Sequence, residues 1–297
     1  MENIEDILGA YSKRFNDDLE KYFPSSFDTQ HKALKAMHYS LSNGGKRLRP
    51  FLLHKTAELF GVEYETALPV AVSLEMLHTY SLIHDDLPAM DNDDLRRGKP
   101  TCHKAFDEAT AILAGDGLLT YSFEVLNTAD IDDKKKVLLT SLLAKLAGAK
   151  DGMIAGQVLD LFVENNEILG NVEDIIRHTQ ALKTGCLLKY PLLAGAIMGD
   201  AKEKEKEILI KFAKNIGLAF QITDDILDVI GDEKLVGKTL KKDKKQNKLN
   251  FVSIYGVEKA KNIAKKLIDE AIIDVDYFGS KAIELKLLAR YILERNH

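Results

Sequence analysis

Apolar residues recur along most of this chain at the three- and four-residue spacing that places them on one face of a helix. The first stretch with this spacing contains Ile4, Ile7, Leu8 and Tyr11, and residues 208–216 repeat it. Runs in which apolar and polar residues alternate, with paired turn signals between them, are missing from the sequence. The pattern therefore predicts an all-α protein of about ten or more helices, and we expect the longest of them to form a bundle.

Glycine and proline residues divide this helical pattern. We interpret them as helix ends, because glycine favours helix C-termini and proline cannot continue a helix. The positions are Gly44–Gly45, Gly61, Pro69, Gly98–Pro100, Gly115, Gly170, Gly199, Gly231 and Gly237. No linker rich in serine, glycine or proline splits the chain, and no repeat with a period of about 20 to 50 residues is evident. We therefore expect residues 1–297 to form a single domain.

Composition places the chain among ordinary globular proteins. Of the 297 residues, 45% are hydrophobic, which is enough for a large core, and 29% are charged, which is enough for a solvated surface. The formal net charge of −5 gives no bulk attraction to nucleic acid, so an anionic ligand must be held by local basic clusters. Cys102 and Cys186 match no metal or redox spacing, which favours a reducing cytoplasm. Neither a signal peptide nor an apolar run of the roughly 18 residues needed for a membrane span is predicted.

The segment from His84 to Asp94 carries five acidic side chains. It follows an apolar stretch at about residues 70–83 that should be a helix, and Pro88 should end or kink that helix because proline lacks an N–H and crowds the preceding turn. Asp85 and Asp86 then lie near a helix C-terminus, where the helix dipole and their mutual repulsion both disfavour negative charge. A cation should therefore neutralise them. The alternative is a solvated acidic loop, but the segment is more apolar than a simple solvated turn usually is.

A second acid cluster lies in the segment Phe220–Asp228, where the helical pattern continues. Asp224 and Asp225 precede Asp228 by four and three residues, so the three carboxylates lie on adjoining parts of one helix face. The residues around them are apolar, which indicates burial beside a cleft. A charged stripe on a surface helix is the alternative, but no Lys or Arg occurs from residue 218 to residue 233 to balance such a stripe. Oxygen ligands without His or Cys suit Mg²⁺, which usually shares its coordination with substrate phosphates.

Basic clusters accompany the acidic ones. Residues 44–50 read GGKRLRP, in which the glycines allow close backbone approach and arginine can grip phosphate oxygens in a bidentate manner. The sequence Arg96–Lys99 follows the first acid cluster, Lys183–Gly185 interrupts an apolar stretch, and Lys238 with Lys241–Lys248 follows the second acid cluster. Each of these alone is more typical of a solvated surface. Their combination with the two acid clusters predicts a cleft that binds Mg²⁺ and two separate phosphate groups.

These segments together resemble the trans-prenyltransferase, or polyprenyl synthase, family in the form found in bacterial farnesyl diphosphate synthases. Asp85-Asp86-x4-Asp91, followed by Arg96, is similar to the first aspartate-rich motif of the family with two extra residues between the aspartates. Asp224-Asp225-x2-Asp228 is similar to the second motif, and residues 44–50 are similar to the isopentenyl diphosphate site. The resemblance is clear for residues 42–251 and weaker beyond them. It implies an isoprenoid-synthase-like helical bundle with a central cleft.

The resemblance also implies roles for individual residues. The Mg²⁺ ligands would be Asp85, Asp86, Asp91, Asp224, Asp225 and Asp228, with three ions per site and Mn²⁺ as an alternative metal. The residues that bind the allylic diphosphate would be Arg96, Lys183 and Lys238. The residues that bind isopentenyl diphosphate would be Gly45, Lys46, Arg49, His78 and Arg97. The catalytic residues would be Lys183, Thr184 and Gln221, where the oxygens of the last two stabilise the carbocation. Lys248 would also bind substrate, but Asn250 replaces the threonine that the family usually has two residues later.

By resemblance, the chain would condense isopentenyl diphosphate with dimethylallyl and then geranyl diphosphate to give farnesyl diphosphate. Bacterial farnesyl synthases carry an aromatic residue where Tyr80 stands, five residues before Asp85, so Tyr80 and Ser81 would set the chain length. A C20 geranylgeranyl diphosphate synthase is the alternative. A terpene cyclase would not need the second diphosphate site at residues 44–50, and a non-catalytic helical partner subunit would not need both acid clusters. The resemblance further implies a homodimer.

Overall fold

The computed structural model describes residues 3–24, 28, 31–164, 170–230 and 250–295, and these residues are helical almost throughout. In the first half of the chain the helices are α1 (Ile4–Leu19), α2 (Lys32–Leu41), α3 (Leu48–Leu59), α4 (Tyr64–Asp85), α5 (Cys102–Ala105), α6 (Glu108–Asn127) and α7 (Asp133–Ala147). The remaining helices are α8 (Met153–Glu164), α9 (Val172–Gln180), α10 (Cys186–Met198), α11 (Glu203–Ile230), α12 (Phe251–Tyr255), α13 (Val257–Val275) and α14 (Ile283–Glu294). Short 3₁₀ segments follow α1 and α13, and a π-helical turn, Ala181–Gly185, joins α9 to α10. Among these helices, none is both long and apolar enough to cross a bilayer.

The two helices that carry the acid clusters run through two hydrophobic cores. Helix α4 packs mainly against α6 and α3, with Leu74 and Leu77 fully buried, and α11 packs mainly against α13 and α10, with Phe212 and Ile216 fully buried. Full burial of one such side chain stabilises the fold by about 1.5–3 kcal/mol. Because both helices are held along their length by this packing, the acidic side chains near their ends project from fixed positions.

A short β-hairpin follows the first acid cluster. Its strands, β1 (Leu95–Arg96) and β2 (Lys99–Pro100), pair antiparallel. The two turn residues, Arg97 and Gly98, both have positive φ, at 54° and 74°, which is the backbone that a tight two-residue hairpin turn requires. The sequence pattern predicted no strands and a helix end at Gly98–Pro100, so the hairpin corrects that prediction. As a result, Arg96 lies in a strand and Arg97 at the turn.

Two predicted helix ends are wrong. Pro69 lies inside α4, where burial of neighbouring side chains maintains the helix although one backbone N–H is absent. Gly115 lies inside α6, where glycine costs about 1 kcal/mol relative to alanine. The reason at Gly115 is a close contact with His84, because a β-carbon at residue 115 would lie 2.1 Å from His84 Nε2. The helix ends predicted at Gly231 and Gly237 lie outside the described residues.

Candidate active site

The first acid cluster folds back over the end of α4. The helix ends at Asp85, before Pro88 as predicted, and Asp86 is its C-cap residue. The Asp91 N–H donates to the Asp85 carbonyl at 2.8 Å, and the Asp93 N–H donates to the Asp86 carbonyl at 3.2 Å. These hydrogen bonds satisfy carbonyls that the end of a helix leaves unpaired. They also bring the backbone of Asp91 and Asp93 next to the two aspartates of the helix end.

The second acid cluster lies within α11, and it is not a surface stripe. Asp225 and Asp228 are buried, at 5% and 8% exposure. Asp225 Oδ1 accepts a hydrogen bond from Gln221 Nε2 at 3.3 Å, and Asp225 Oδ2 accepts one from the Phe251 N–H at 3.1 Å. Asp224 is more exposed and accepts a hydrogen bond from Arg295 Nη2 at 2.6 Å. Hydrogen bonds therefore fix the orientations of the Asp224 and Asp225 carboxylates at the edge of the core.

Both clusters offer carboxylate oxygens, which are ligands that suit Mg²⁺. In the described parts of the chain, no three Asp, Glu, His or Cys side chains are close enough together to hold a metal ion by themselves. Mg²⁺ is usually bound through one or two carboxylates together with substrate phosphates, so an oxygen-only set of this kind fits the ion. Burial raises the pKa of Asp85 to about 6, although the nearby Lys183 ammonium opposes this shift. A buried carboxylate with a raised pKa gains stability from an added positive charge.

Basic side chains already pair with acids of the cleft. Arg96 Nε donates to Asp86 Oδ1 at 3.0 Å, and Arg96 Nη2 donates to the same oxygen. The Lys183 ammonium donates to Asp160 Oδ2 at 2.7 Å. The close approach of α8 to the π-helical turn makes the second pair possible, since a β-carbon at Gly156 would lie 2.1 Å from the Lys183 backbone nitrogen. The predicted phosphate-binding residues Arg96 and Lys183 thus lie beside acidic groups.

The residues predicted to bind isopentenyl diphosphate come together at the start of α3. Arg49 Nη1 donates to His78 Nε2 at 3.1 Å, so His78 is the acceptor and its ring is neutral. Burial, together with the charge of Arg49, holds the pKa of His78 well below its usual range. Arg49 Nε is buried and has no hydrogen-bond partner among the described residues. A buried guanidinium with an N–H left over is suited to receive an anion.

Two more predicted residues of this group, Arg97 and Gly45, contact each other. A β-carbon at Gly45 would lie 2.5 Å from Arg97 Cζ, and the φ of Gly45 is 115°, so glycine is needed on both counts. Arg97 Nη1 donates to the Gly44 carbonyl. Burial lowers the pKa of Arg49 to about 10 and that of Lys46 to about 8, and neighbouring arginines add to both shifts. The cation that acts on Arg49 is Arg97 and the cation that acts on Lys46 is Arg295, and an anion bound beside either pair would relieve the repulsion within it.

One of the three cations in residues 44–50 has a structural role. Arg47 is buried, and its Nη1 donates to Glu75 Oε1 at 2.6 Å. Its Nη2 donates to the Leu41 carbonyl at 2.6 Å, and its Nε donates to Asn16 Oδ1 at 2.9 Å. Each of the three guanidinium nitrogens therefore donates a hydrogen bond within the protein. Arg47 is the one cation of this segment that the family resemblance does not assign to isopentenyl diphosphate, and its contacts in the structure are with the protein itself.

A cavity of about 480 Å³ lies between α4, α8 and the π-helical turn. Its polar lining is Arg49, His78, Ser81, His84, Asp85, Gln157, Lys183 and Thr184, and its apolar and aromatic lining is Tyr80, Leu82, Met90, Met153, Ile154, Val158, Leu161 and Leu187. One cavity therefore contacts one predicted cation from each diphosphate site, Arg49 and Lys183, together with the two residues predicted to set the chain length. The mixture of a charged part and an apolar part suits a ligand with an ionic head and a hydrocarbon tail.

A chain of hydrogen bonds links this cavity to the second acid cluster. Thr184 Oγ1 donates to Gln221 Oε1 at 3.1 Å, and Gln221 Nε2 donates to Asp225 at 3.3 Å. Because the amide nitrogen is engaged by Asp225, the amide oxygen is turned toward Thr184. The lone pairs of the Thr184 hydroxyl then remain available at the cavity wall.

Sequence reasoning missed three charged residues that pair with members of the acidic and basic clusters: Asp160, Glu75 and Arg295. Asp160 and Glu75 carry a usable signal, since each is a lone acidic side chain in an apolar helical segment and a buried charge requires a partner. Arg295 carries none, because it lies 71 residues from Asp224 in the chain. The predicted substrate-binding residues Lys238 and Lys248 lie outside the described residues, so their roles stay predictions.

Comparison with known proteins identifies the class. The polyprenyl synthetase family model matches residues 30–281. The chain is 44% identical to a geranylgeranyl diphosphate synthase of Cyanophora paradoxa, over 99% of this chain and 97% of the relative. It is 46% identical to a farnesyl diphosphate synthase of Geobacillus stearothermophilus, over 87% of this chain and 86% of the relative. A solved geranyltransferase of Helicobacter pylori, in complex with magnesium and isoprenyl diphosphate, superposes with a TM-score of 0.83 at 36% identity, covering 99% of this chain and 97% of that one.

The fold and these similarities agree on one class, that of the trans-prenyl diphosphate synthases. The chain belongs to the polyprenyl synthetase family. This confirms the family resemblance inferred from the motifs, the all-α fold and the prediction of a prenyltransferase. The relatives divide between farnesyl and geranylgeranyl synthases, so they do not choose between a C15 and a C20 product.

Proposed function

We propose that the protein condenses isopentenyl diphosphate with dimethylallyl diphosphate and then with geranyl diphosphate, and releases C15 farnesyl diphosphate. One cavity supports this proposal, because Asp85, Lys183 and Thr184 line it together with the aromatic ring of Tyr80. The first three residues suit the reacting diphosphate end of an allylic substrate. Tyr80 suits the end of a growing apolar chain.

Magnesium would be held by Asp85, Asp86 and Asp91 at the end of α4 and by Asp224, Asp225 and Asp228 on α11. When bound, the metal supplies positive charge that stabilises the leaving diphosphate. The Helicobacter pylori relative was solved with magnesium and isoprenyl diphosphate, which supports the choice of metal. The resemblance suggests three ions, with Mn²⁺ as an alternative.

The protein's own charges prepare the two diphosphate positions. We assign Lys183 and Arg96 to the allylic diphosphate, and Arg49, Arg97 and Lys46 to isopentenyl diphosphate. These groups are fixed before substrate arrives, by the pairs with Asp160 and Asp86 and by packing at the start of α3. Fixed charges directed at the site of developing charge lower the barrier to ionisation without reorganisation during the reaction.

The bonds change in three steps. The C–O bond of the allylic diphosphate breaks, and the electron pair leaves with the diphosphate. The oxygen lone pairs of Thr184, held in place by Gln221, face the resulting allylic cation. The terminal alkene carbon, C4, of isopentenyl diphosphate then attacks C1 of this cation, which leaves a tertiary cation at C3 of the isopentenyl unit. A proton is lost from C2 of that unit to the departing diphosphate, and the C–H electron pair forms the new C2–C3 double bond.

The position of Tyr80 favours the C15 product. Tyr80 stands five residues before Asp85, about 7.5 Å along the axis at 1.5 Å per residue, and is 5% exposed. Ser81, the smaller neighbour, also lines the cavity, with its hydroxyl donating to the His78 carbonyl at 2.8 Å. A ring at this depth would stop a growing chain partway along α4. The C20 alternative requires the chain to pass Tyr80.

Incubation of the protein with dimethylallyl and isopentenyl diphosphates, followed by chromatography of the dephosphorylated products, tests this proposal. We expect farnesol as the main product, and a shift toward C20 or longer alcohols for Tyr80→Ala. Geranylgeraniol as the main wild-type product would refute the C15 assignment, and an unchanged profile in a well-folded Tyr80→Ala protein would show that another residue forms the floor. Hydrocarbons formed from farnesyl diphosphate alone would indicate a terpene cyclase.

Three further features belong to the same proposal. We expect residues 1–297 to act as a single domain, the chain to form a homodimer and the enzyme to work in the cytoplasm. The first two follow from the family resemblance and the absence of a linker in the sequence. The third follows from the two free, buried cysteines, Cys102 and Cys186, which suit a reducing compartment.

A further inference from the structure

Gly115 leaves a notch in α6 that holds the ring of His84, the residue before Asp85. A β-carbon at residue 115 would lie 2.1 Å from His84 Nε2, 2.4 Å from Cδ2 and 2.9 Å from Cε1. Separations below 3.0 Å essentially never occur for a real β-carbon, so this ring position requires glycine. The notch accounts for a glycine in the middle of a helix.

The ring is fixed by a hydrogen bond as well as by the notch. His84 Nε2 lies 3.1 Å from the carbonyl oxygen of Ile112 on the same helix α6. Since a carbonyl can only accept, the imidazole proton is on Nε2. Main-chain atoms of α6 therefore determine where the ring of His84 lies.

The other side of this ring contacts Tyr80. The two ring centroids are 5.7 Å apart and the planes meet at 88°, which is an edge-to-face arrangement. Tyr80 and His84 are four residues apart on α4, so their side chains are neighbours on one face, and both line the cavity. The His84 ring occupies the space into which the Tyr80 ring would turn along this face. The His84 ring cannot move further toward α6, because it already contacts the main chain of that helix.

We propose that His84 is a positioning residue for product length, which holds the ring of Tyr80 across the cavity from the notch at Gly115. The inference rests on the proposed function, in which Tyr80 forms the floor of the cavity. His84 contacts the floor residue and not the reacting atoms. Loss of its ring should therefore change the length of the product more than the identity of the substrates.

The decisive measurement is a ratio of two products. The numerator is the amount of the product that is one isoprene unit longer than the main wild-type product, and the denominator is the amount of the main wild-type product. For His84→Ala we expect this ratio to rise by about 2- to 12-fold, the factor that corresponds to one aromatic edge contact. His84→Gln keeps an amide nitrogen at the position of Nε2 and can still donate to Ile112, so its ratio should lie between those of wild type and His84→Ala. The ratio is independent of total turnover, which substitutions beside Asp85 can also lower.

Substitution of Gly115 provides a second, independent test. Gly115→Ala should change the ratio, because it forces the His84 ring out of the notch, whereas the same change in a His84→Ala background should have no effect. Gly117→Ala is the matched control on the same helix, where a β-carbon would meet the flexible Met37 Sδ at 2.7 Å. It should keep the wild-type ratio, and circular dichroism confirms that each variant is folded.

Three results would overturn the inference: a wild-type ratio in folded His84→Ala, an equal effect of Gly115→Ala with and without the His84 ring, or a further lengthening by His84→Ala in a Tyr80→Ala background. The last result would mean that His84 acts without Tyr80. A wild-type enzyme that makes C20 would refute the C15 proposal instead, and the His84 effect would then be read as the ratio of C25 to C20.

Discussion

Replacing Glu75 by glutamine should destabilise the fold without removing a substrate contact. Glu75 Oε1 and Arg47 Nη1 are 2.6 Å apart, and their side chains are 2% and 0% exposed. Removing one partner of a buried ion pair costs about 3–5 kcal/mol, because the other charge remains buried without compensation. At about 2.1 cal/mol/K of unfolding entropy per residue, the 297 residues give about 0.6 kcal/mol/K, so Tm should fall by about 5–8 °C.

Glu65→Gln provides the matched control on the same helix. Glu65 pairs with Arg14 at 2.9 Å, but the two side chains are 67% and 56% exposed. An exposed pair contributes about 0–1 kcal/mol, so Tm should fall by less than about 2 °C. Thermal unfolding followed by circular dichroism, under identical buffer conditions, compares the two variants.

Steady-state kinetics at 25 °C completes this experiment. The KM of Glu75→Gln for isopentenyl diphosphate should stay close to that of wild type, because Arg47 is engaged by Glu75, Leu41 and Asn16 and is not available to phosphate. An unchanged Tm with a KM raised by an order of magnitude would refute the reasoning. It would show that Arg47 serves the substrate and that the buried pair contributes little to stability.

Three further outcomes follow from the site. EDTA should abolish activity and Mg²⁺ should restore it. Asp85→Ala and Asp224→Ala should each lower kcat by orders of magnitude. Full turnover in metal-free buffer, or in either variant, would contradict the metal assignment. Arg49→Ala should mainly raise KM for isopentenyl diphosphate, and Lys183→Ala should mainly lower kcat/KM for the allylic substrate. Each change should cost roughly 1.5–3 kcal/mol, the contribution of a hydrogen bond to a charged group. Identical effects of the two variants on both substrates would show that the two sites are not separate. Burial lowers the pKa of Lys46 to about 8, so KM for isopentenyl diphosphate should rise as pH increases through that value and the ammonium loses its proton, while Lys46→Arg should give a flat profile.

The sequence predicted the helices that carry the acid clusters because their apolar residues follow the helical period over many turns. The end of α4 at Asp85 was predicted because proline acts locally on the preceding turn. Gly115 was misinterpreted for the opposite reason. Its role depends on His84, 31 positions earlier on another helix, and no local pattern in α6 reports the ring that occupies the notch.

Charge assignments in the site show the same limit. The sequence alone does not distinguish between the three cations Lys46, Arg47 and Arg49. In the structure, Arg47 points into the core and pairs with Glu75, whereas Arg49 donates a hydrogen bond to His78. Glu75, the lone acidic side chain in the apolar part of α4, indicates that a buried cation must pair with it, but the sequence alone does not identify that cation. The answer depends on the backbone of Arg47, whose φ of 51° directs the chain into α3.

The basic groups that the sequence assigns to phosphate binding lie beside acids in the structure. Arg96 pairs with Asp86 and Lys183 pairs with Asp160, and both pairs are at least partly buried. An isolated charge at such a depth would be costly, so each group stabilises the other in the absence of ligand. A site for a diphosphate and its metal must present cations for the phosphate and carboxylates for the metal within one cleft. The ion pairs between them are therefore a physical consequence of placing both kinds of charge where the substrate binds.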